Sequence, residues 1–311
     1  MSGSSSPFFE VNIPVPFGSI AGKWYGSKDV RPILLIHGLS DNCGTFDRLI
    51  PLLPSHGSYL AIDLPGHGQS SRIPNGMMYH VADLAQVILW IMKAYKWSKV
   101  SLLGHSMGAL ASFCFVGMFP GKVDLFIALD ALQLCHFEQI LDQQANFISR
   151  SMQADEDYVN NVPTNKYTYE QLIDKIHHLP SCTIPKDLCH HILRRNIRKS
   201  TLLPESYCFQ YDNRTKYPNI LGWSTEASAL TAKRIKFPVL IIKATDSIPY
   251  GDDEEFMRIV NSIKDNNVPI KLVNMTGGHY IHLIDADRVA TEIGKFLNDI
   301  GYFEKSVKSK I

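Results

Sequence analysis

Apolar residues fall into two rhythms that alternate along this chain. Short unbroken runs stand at residues 32–36, 59–62, 100–103, 125–129, 239–244 and 270–273. Such runs suit strands covered on both faces, as in parallel sheets flanked by helices. Between them the apolar positions recur at helical spacing. Val81, Leu84, Ala85, Ile88, Leu89 and Met92 mark a helix over 81–95, and further helices are predicted over 45–53, 107–119, 254–263 and 286–300. Strands alternating with helices predict a doubly wound, mostly parallel α/β sheet, and right-handed crossovers place helices on both its faces. Residues 9–15 and 19–25 alternate apolar and polar instead, around Pro16-Phe17-Gly18. They predict an antiparallel hairpin at one sheet edge.

The rhythm stops between residues 131 and 225. That stretch is polar, rich in Gln, Asn and Tyr, and broken by Pro163, Pro180, Pro185 and Pro204. We read it as a helical cap inserted into the sheet domain. The expected organisation is a flexible head (1–8), a core (9–130 with 226–311) and a cap (131–225).

Composition narrows the function only a little. The 311 residues are 45% hydrophobic and 20% charged, with a net charge of +1. Near-neutrality gives no reason to expect a nucleic-acid partner. No run of about 18 apolar residues predicts a membrane span. The polar first residues lack the basic start and apolar middle of a secretory signal. Six cysteines without a regular framework are expected as reduced thiols inside a cell.

The chemistry is concentrated in residues 100–108. An apolar strand runs into Gly104-His105-Ser106-Met107-Gly108, and an Ala/Phe-rich helix follows. A serine on a sharp strand-to-helix bend needs small neighbours where strand and helix approach, and Gly104 and Gly108 supply them. Ser106 is therefore the expected nucleophile, projecting from the C-terminal edge of the sheet. A serine hydroxyl needs a base, and the base needs an orienting acid. His279, in the glycine-rich loop after the last strand, opens at the same edge and is the expected base. Two aspartates fit as acid. Asp246 follows the 239–244 strand, in a turn about one residue tight, and is slightly preferred. Asp130, at the tip of the 125–129 strand, satisfies the same chain order. The oxyanion hole is expected from the backbone N–H groups of Met107 and Leu39. His37 reads as a hydrogen-bonder of the scaffold.

Ile36-His37-Gly38, the segment from Asp63 to Ser70 (Asp-Leu-Pro-Gly-His-Gly-Gln-Ser), the Ser106 elbow and Gly278-His279 together resemble the α/β-hydrolase superfamily. The stretches 46–54 and 100–120 resemble, more narrowly, the kraken-like serine hydrolase-like proteins of animals. The likeness covers most of residues 9–300 and is weakest in the cap. It implies the α/β-hydrolase fold, a serine hydrolase of poorly defined substrate, and peroxisomal or cytoplasmic placement. Dehalogenases and epoxide hydrolases of this fold carry aspartate at the elbow, so Ser106 argues against those reactions.

The expected substrate is a small carboxylic or thio ester with an apolar acyl group. No cofactor and no metal ion is expected. His177, His178, Cys182, Cys189, His190 and His191 cluster in the cap, but their spacing matches no standard zinc pattern. Arg194, Arg195, Arg198 and Lys199 form a basic stripe that reads as a solvated helix face, with an anionic substrate tail such as a coenzyme A thioester as the minor alternative. Phe137, Phe147, Tyr158, Tyr167 and Tyr169 are candidates for lining an acyl pocket, though each alone reads first as core. Ser309-Lys310-Ile311 differs from the Ser-Lys-Leu peroxisomal address by one isomeric side chain, so an import receptor is a candidate partner. The reading from a different class is a non-catalytic ligand-binding protein that uses the same cavity. A lyase or carbon–carbon hydrolase on the same triad also stays open.

Overall fold

The computed structural model of the chain describes residues 7–132, 137–179, 182–200, 203–219, 223–247 and 252–306. The serine-rich start, Cys135 and the Ser309-Lys310-Ile311 tail lie outside these residues. So do the side chains of Phe137 and Cys182.

The chain opens with β1 (Phe8–Val15) and β2 (Gly18–Tyr25), an antiparallel hairpin in full register. β1 begins at Phe8, so the last residue of the expected head is already strand. β3 (Ile33–Ile36), β4 (Tyr59–Ile62), α1 (Leu84–Ala94), β5 (Val100–His105), α2 (Met107–Met118) and β6 (Val123–Leu129) follow. The cap region holds α3 (Phe137–Val159), α4 (Tyr169–His177), β7 (His178–Leu179), β8 (Cys182–Thr183), α5 (Cys189–Asn196), β9 (Ile197–Lys199) and β10 (Tyr207–Phe209). The core resumes with α6 (Thr225–Lys233), β11 (Val239–Ala244), α7 (Asp253–Lys264), β12 (Ile270–Met275), α8 (Ile281–Ile284), α9 (Ala286–Asp299) and α10 (Tyr302–Ser306).

Eight strands form one sheet in the order β1-β2-β4-β3-β5-β6-β11-β12. The hairpin joins β4 antiparallel, and every later pairing is parallel. The strand period of two divides each apolar run between the two faces. Leu34, Ile36, Val100, Leu102, Phe126, Ala128 and Ile241 pack on the side of α1, α2 and α7. Ile33, Leu35, Leu103, Ile127, Leu129, Leu240 and Ile242 pack on the side of α9. Burial on both faces is why these strands read as unbroken apolar runs.

Two expectations are corrected. The helix expected over 45–53 is a pair of 3₁₀ turns, Cys43–Phe46 and Ile50–Leu52. Asn42 caps the first, its side chain accepting from the Gly44 N–H at 2.8 Å. Pro51 and Pro54 offer no N–H to carry a longer helix. The stretch after β6 is also not purely helical. It contains two short antiparallel ribbons, β7 with β8 and β9 with β10. Among the described residues no helix is long and apolar enough to cross a membrane.

The stretch expected as a cap packs on the residues that follow His279 at a buried seam. Leu172, Ile176, Ile184, Ile192 and Leu193 share one apolar cluster with Tyr280 and Leu283, which follow His279. Arg195 was expected on a solvated face, yet it is only 3% exposed. Its guanidinium grips the Asp63 carboxylate at the end of β4 (2.8 and 3.0 Å) and reaches Glu10 on β1 at 2.6 Å. Arg194, Arg198 and Lys199 are exposed, as the stripe predicts. Arg214 is buried too, donating to the carbonyls of Ile73, Pro74 and Met77.

Candidate active site

Four loops meet at the C-terminal edge of the parallel strands. Ser106 stands between β5 and α2 with φ 50° and ψ −123°, a backbone conformation that L-residues rarely adopt. The bend is tight. A Cβ on Gly108 would lie 2.1 Å from the Ile36 carbonyl oxygen, and one on Gly104 would lie 2.5 Å from the Ala109 backbone. The β3 loop also comes close, since a Cβ on Gly38 would lie 3.0 Å from the Ser106 Cβ. Ser106 itself is buried, at 6% exposure.

His279 lies in the loop after β12 and is also buried. Its Nδ1 meets the Asp130 Oδ2 at 2.6 Å, and the Ser247 hydroxyl stands at 3.4 Å from the same nitrogen. Asp130 has φ 54°, a second strained residue at this edge. Its other carboxylate oxygen accepts from the Ala244 N–H at 2.8 Å, and its own N–H donates to Ile242. The structure thus brings Asp130 to His279, and the preference for Asp246 is corrected. Asp246 is exposed, and its carboxylate accepts from the Thr245 hydroxyl at 2.8 Å. The tight turn after β11 ties the Asp246 backbone to Gly277.

The groups expected as oxyanion donors belong to the residue after Ser106 and to the β3 loop, whose Gly38 approaches the Ser106 Cβ. Met107 is the first residue of α2, where the initial N–H groups have no intrahelical acceptor. Leu39 lies in the β3 loop, half-buried against the core, beside Ser40 with φ 57°. His37 is a scaffold residue in this geometry. Its Nδ1 donates to the Gly38 carbonyl (2.7 Å) and its Nε2 accepts from the Leu64 N–H (2.9 Å). Burial and the neighbouring His67 lower the His37 pKa to about 3, so the ring is neutral.

Further polar groups at this edge were not singled out by sequence reasoning. His105 precedes Ser106 and donates from Nε2 to the His279 carbonyl at 2.9 Å; its ring lies 4.7 Å from that of His279, centre to centre. His282 meets the Thr45 hydroxyl through Nε2 at 2.9 Å. Burial holds both rings far below the ordinary histidine range, to about 3 for His282. Asp41 is fully buried with no cation beside it among the described residues, and burial raises its pKa to about 8. The signals were present but thin: an elbow residue, a histidine three positions after the base, and an acid in the β3 loop.

The cap residues proposed for other roles have partners of their own. His177, His178 and His190 bond backbone carbonyls through Nδ1 at 2.6–3.0 Å. Phe147 packs on Tyr217, Tyr167 on Phe209, and Tyr169 on Tyr207. Tyr158 is exposed beneath the Arg72 guanidinium. These described rings pair within the cap region or with Arg72. A small space beside Met107 is lined by Val81, Leu84 and Pro218 together with His67, Tyr79, His80 and Thr215.

Residues 31–249 match the family model described as the alpha/beta hydrolase fold. The chain belongs to the α/β-hydrolase fold family. Within it, this hydrolase is 32% identical over 294 residues to a Drosophila melanogaster protein named "Probable serine hydrolase", spanning 93% of this chain and 88% of that one. It is 30% identical to human "Serine hydrolase-like protein 2" over 96% of this chain and 97% of its relative. Among solved structures, a hypothetical protein from Pseudomonas aeruginosa PAO1 superposes with a TM-score of 0.75 at 23% identity, covering 94% and 99% of the two chains. The thioesterase domain from the curacin biosynthetic pathway gives 0.74 at 19% identity, covering 92% and 99%. Those two likenesses are ones of fold.

Proposed function

We propose that this α/β hydrolase cleaves small carboxylic or thio esters through an acyl-Ser106 intermediate. The observation that carries the reading is the Asp130–His279 contact of 2.6 Å at the edge where Ser106 is held in strained backbone. With Nδ1 committed to Asp130, Nε2 is the nitrogen that takes the Ser106 proton as Oγ attacks the acyl carbon. The tetrahedral adduct then collapses, and His279 returns the proton to the leaving alcohol or thiol. Water next attacks the acyl-serine, giving its proton to His279, and the acid leaves as Ser106 is reprotonated. The N–H groups of Leu39 and Met107 hold the oxyanion, each worth about 2.7–4 kcal/mol.

The names of relatives and structural neighbours agree with this class: serine hydrolases, a thioesterase domain and a Bacillus subtilis carboxylesterase. The test is a panel of p-nitrophenyl esters from acetyl to palmitoyl. We expect turnover that vanishes in Ser106→Ala, with the chain-length optimum reporting the depth of the acyl site. Tight ester binding without turnover, unchanged by Ser106→Ala, would instead make this a binding protein.

A further inference from the structure

Behind the Ser106 edge three side chains converge that the proposed acyl transfer does not use. Asp41, His105 and His282 come from the β3 loop, the end of β5 and α8, and each is 0% exposed. One ligand-capable atom from each lies within 4.8 Å of those of the other two. Each residue has one polar atom satisfied. Asp41 Oδ1 accepts from the Asn42 N–H at 2.8 Å, His105 Nε2 donates to the His279 carbonyl, and His282 Nε2 meets the Thr45 hydroxyl. The remaining atoms, Asp41 Oδ2, His105 Nδ1 and His282 Nδ1, have no hydrogen-bond partner among the described residues.

Tautomer chemistry defines what these atoms present. A carbonyl oxygen only accepts, so His105 carries its proton on Nε2 and its Nδ1 shows a bare lone pair. His282 is in the same state when its Nε2–H donates to Thr45. Two imidazole lone pairs and a carboxyl group then share a dry interior, where a single proton on the carboxyl satisfies only one of the two lone pairs and a single electrophile among them satisfies both. The outer bonds match those that orient metal-ligating histidines, whose second nitrogen donates to a carbonyl or another oxygen.

We propose that Asp41 Oδ2, His105 Nδ1 and His282 Nδ1 bind one divalent transition-metal ion of the zinc type. Two imidazoles and one carboxylate suit zinc and its first-row neighbours; calcium and magnesium require mostly oxygen ligands. Ligand bonds of about 2.0–2.2 Å draw the triangle inward on loading and leave one position for a water. The ion clamps together three loops: the one carrying Leu39, the elbow carrying Ser106, and the turn after His279. Its role is structural, and the proposal stands apart from the ester chemistry.

The test uses the full chain, expressed in minimal medium with Co2+ in place of zinc and dialysed against EDTA. Retained metal is counted by mass spectrometry, and the visible spectrum is recorded. We expect one retained equivalent, with the absorption of a four-coordinate ion and no thiolate charge transfer. His282→Phe and Asp41→Asn each abolish retention, whereas simultaneous alanine substitution of His177, His178, His190 and His191 leaves it unchanged. X-ray absorption of the zinc-loaded wild type reads the ligands without any variant and should show two imidazoles and no sulfur. No retained metal, retention that survives both His282→Phe and Asp41→Asn, loss in the cap variant, or fewer than two imidazoles would each overturn the proposal.

Discussion

The seam beneath the cap and the edge that carries Ser106 are both closed to water, yet they hold their polar groups in opposite ways. At the seam the charges of Arg195, Asp63 and Glu10 answer one another. Burial alone would raise the Asp63 pKa, but the Arg195 guanidinium holds it below the ordinary carboxylate value. At the catalytic edge the groups are mostly uncharged or left with spare lone pairs. His37, His67, His105 and His282 are neutral rings, and Asp41 has no cation among the described residues. Ser106 and Asp130 at this edge also take positive-φ backbone. The contrast separates two jobs. Paired ions fix where the cap sits, while the edge keeps neutral bases and strained backbone that acyl transfer can use.

If that division is right, substitutions at the edge change rate and substitutions at the seam change stability. The largest expected effect is Ser106→Ala, which should lower kcat on a short p-nitrophenyl ester by roughly 10⁶-fold with urea stability retained. Asp130→Asn comes next, at about 10⁴-fold, because the amide favours the wrong His279 tautomer. On the seam, Arg195→Met should cost about 3–5 kcal/mol in urea unfolding, since Asp63 is left buried without its cation. Adding Asp63→Leu to Arg195→Met should recover only the part of that loss owed to the unpaired charge, since the Cys43 and Gln69 N–H groups lose their carboxylate acceptor. A double variant as unstable as the single would break the comparison.

Acid sharpens it further. The folded-state pKa of Asp63 is depressed, so its stabilisation is fully present above the unfolded value of about 4 and is lost as pH falls through the lower folded value. Urea midpoints of the wild type should therefore fall below about pH 4. The Arg195→Met, Asp63→Leu pair should lack that part of the decline. The smallest effect is expected at the cap's outer surface. There Thr168 and Gln171 form a reciprocal capping box on α4, and Thr168→Ala should cost about 1 kcal/mol.

How much of this was readable from the chain follows the same division. The strands were legible because burial on both faces forces continuous apolar runs. The elbow was legible because glycine, serine and glycine are required where strand and helix nearly touch. Chain order narrowed the acid to two aspartates without choosing between them. That choice depends on the β11 turn, which points Asp246 to solvent, and on a left-handed Asp130 that no local pattern signals. Arg195 looked like one more cation on a basic stripe. Its burial depends on Asp63, 132 positions earlier. Asp41, His105 and His282 carry no spacing motif, because only the sheet topology brings their three loops together.

Labelling of Ser106 by a fluorophosphonate needs no knowledge of the natural substrate, and it reads the activated hydroxyl itself. The rate should be unchanged in Asp246→Asn and fall by orders of magnitude in Asp130→Asn. Slow labelling in Asp246→Asn with a normal rate in Asp130→Asn would contradict the account, as would a folded wild-type protein whose Ser106 takes no label.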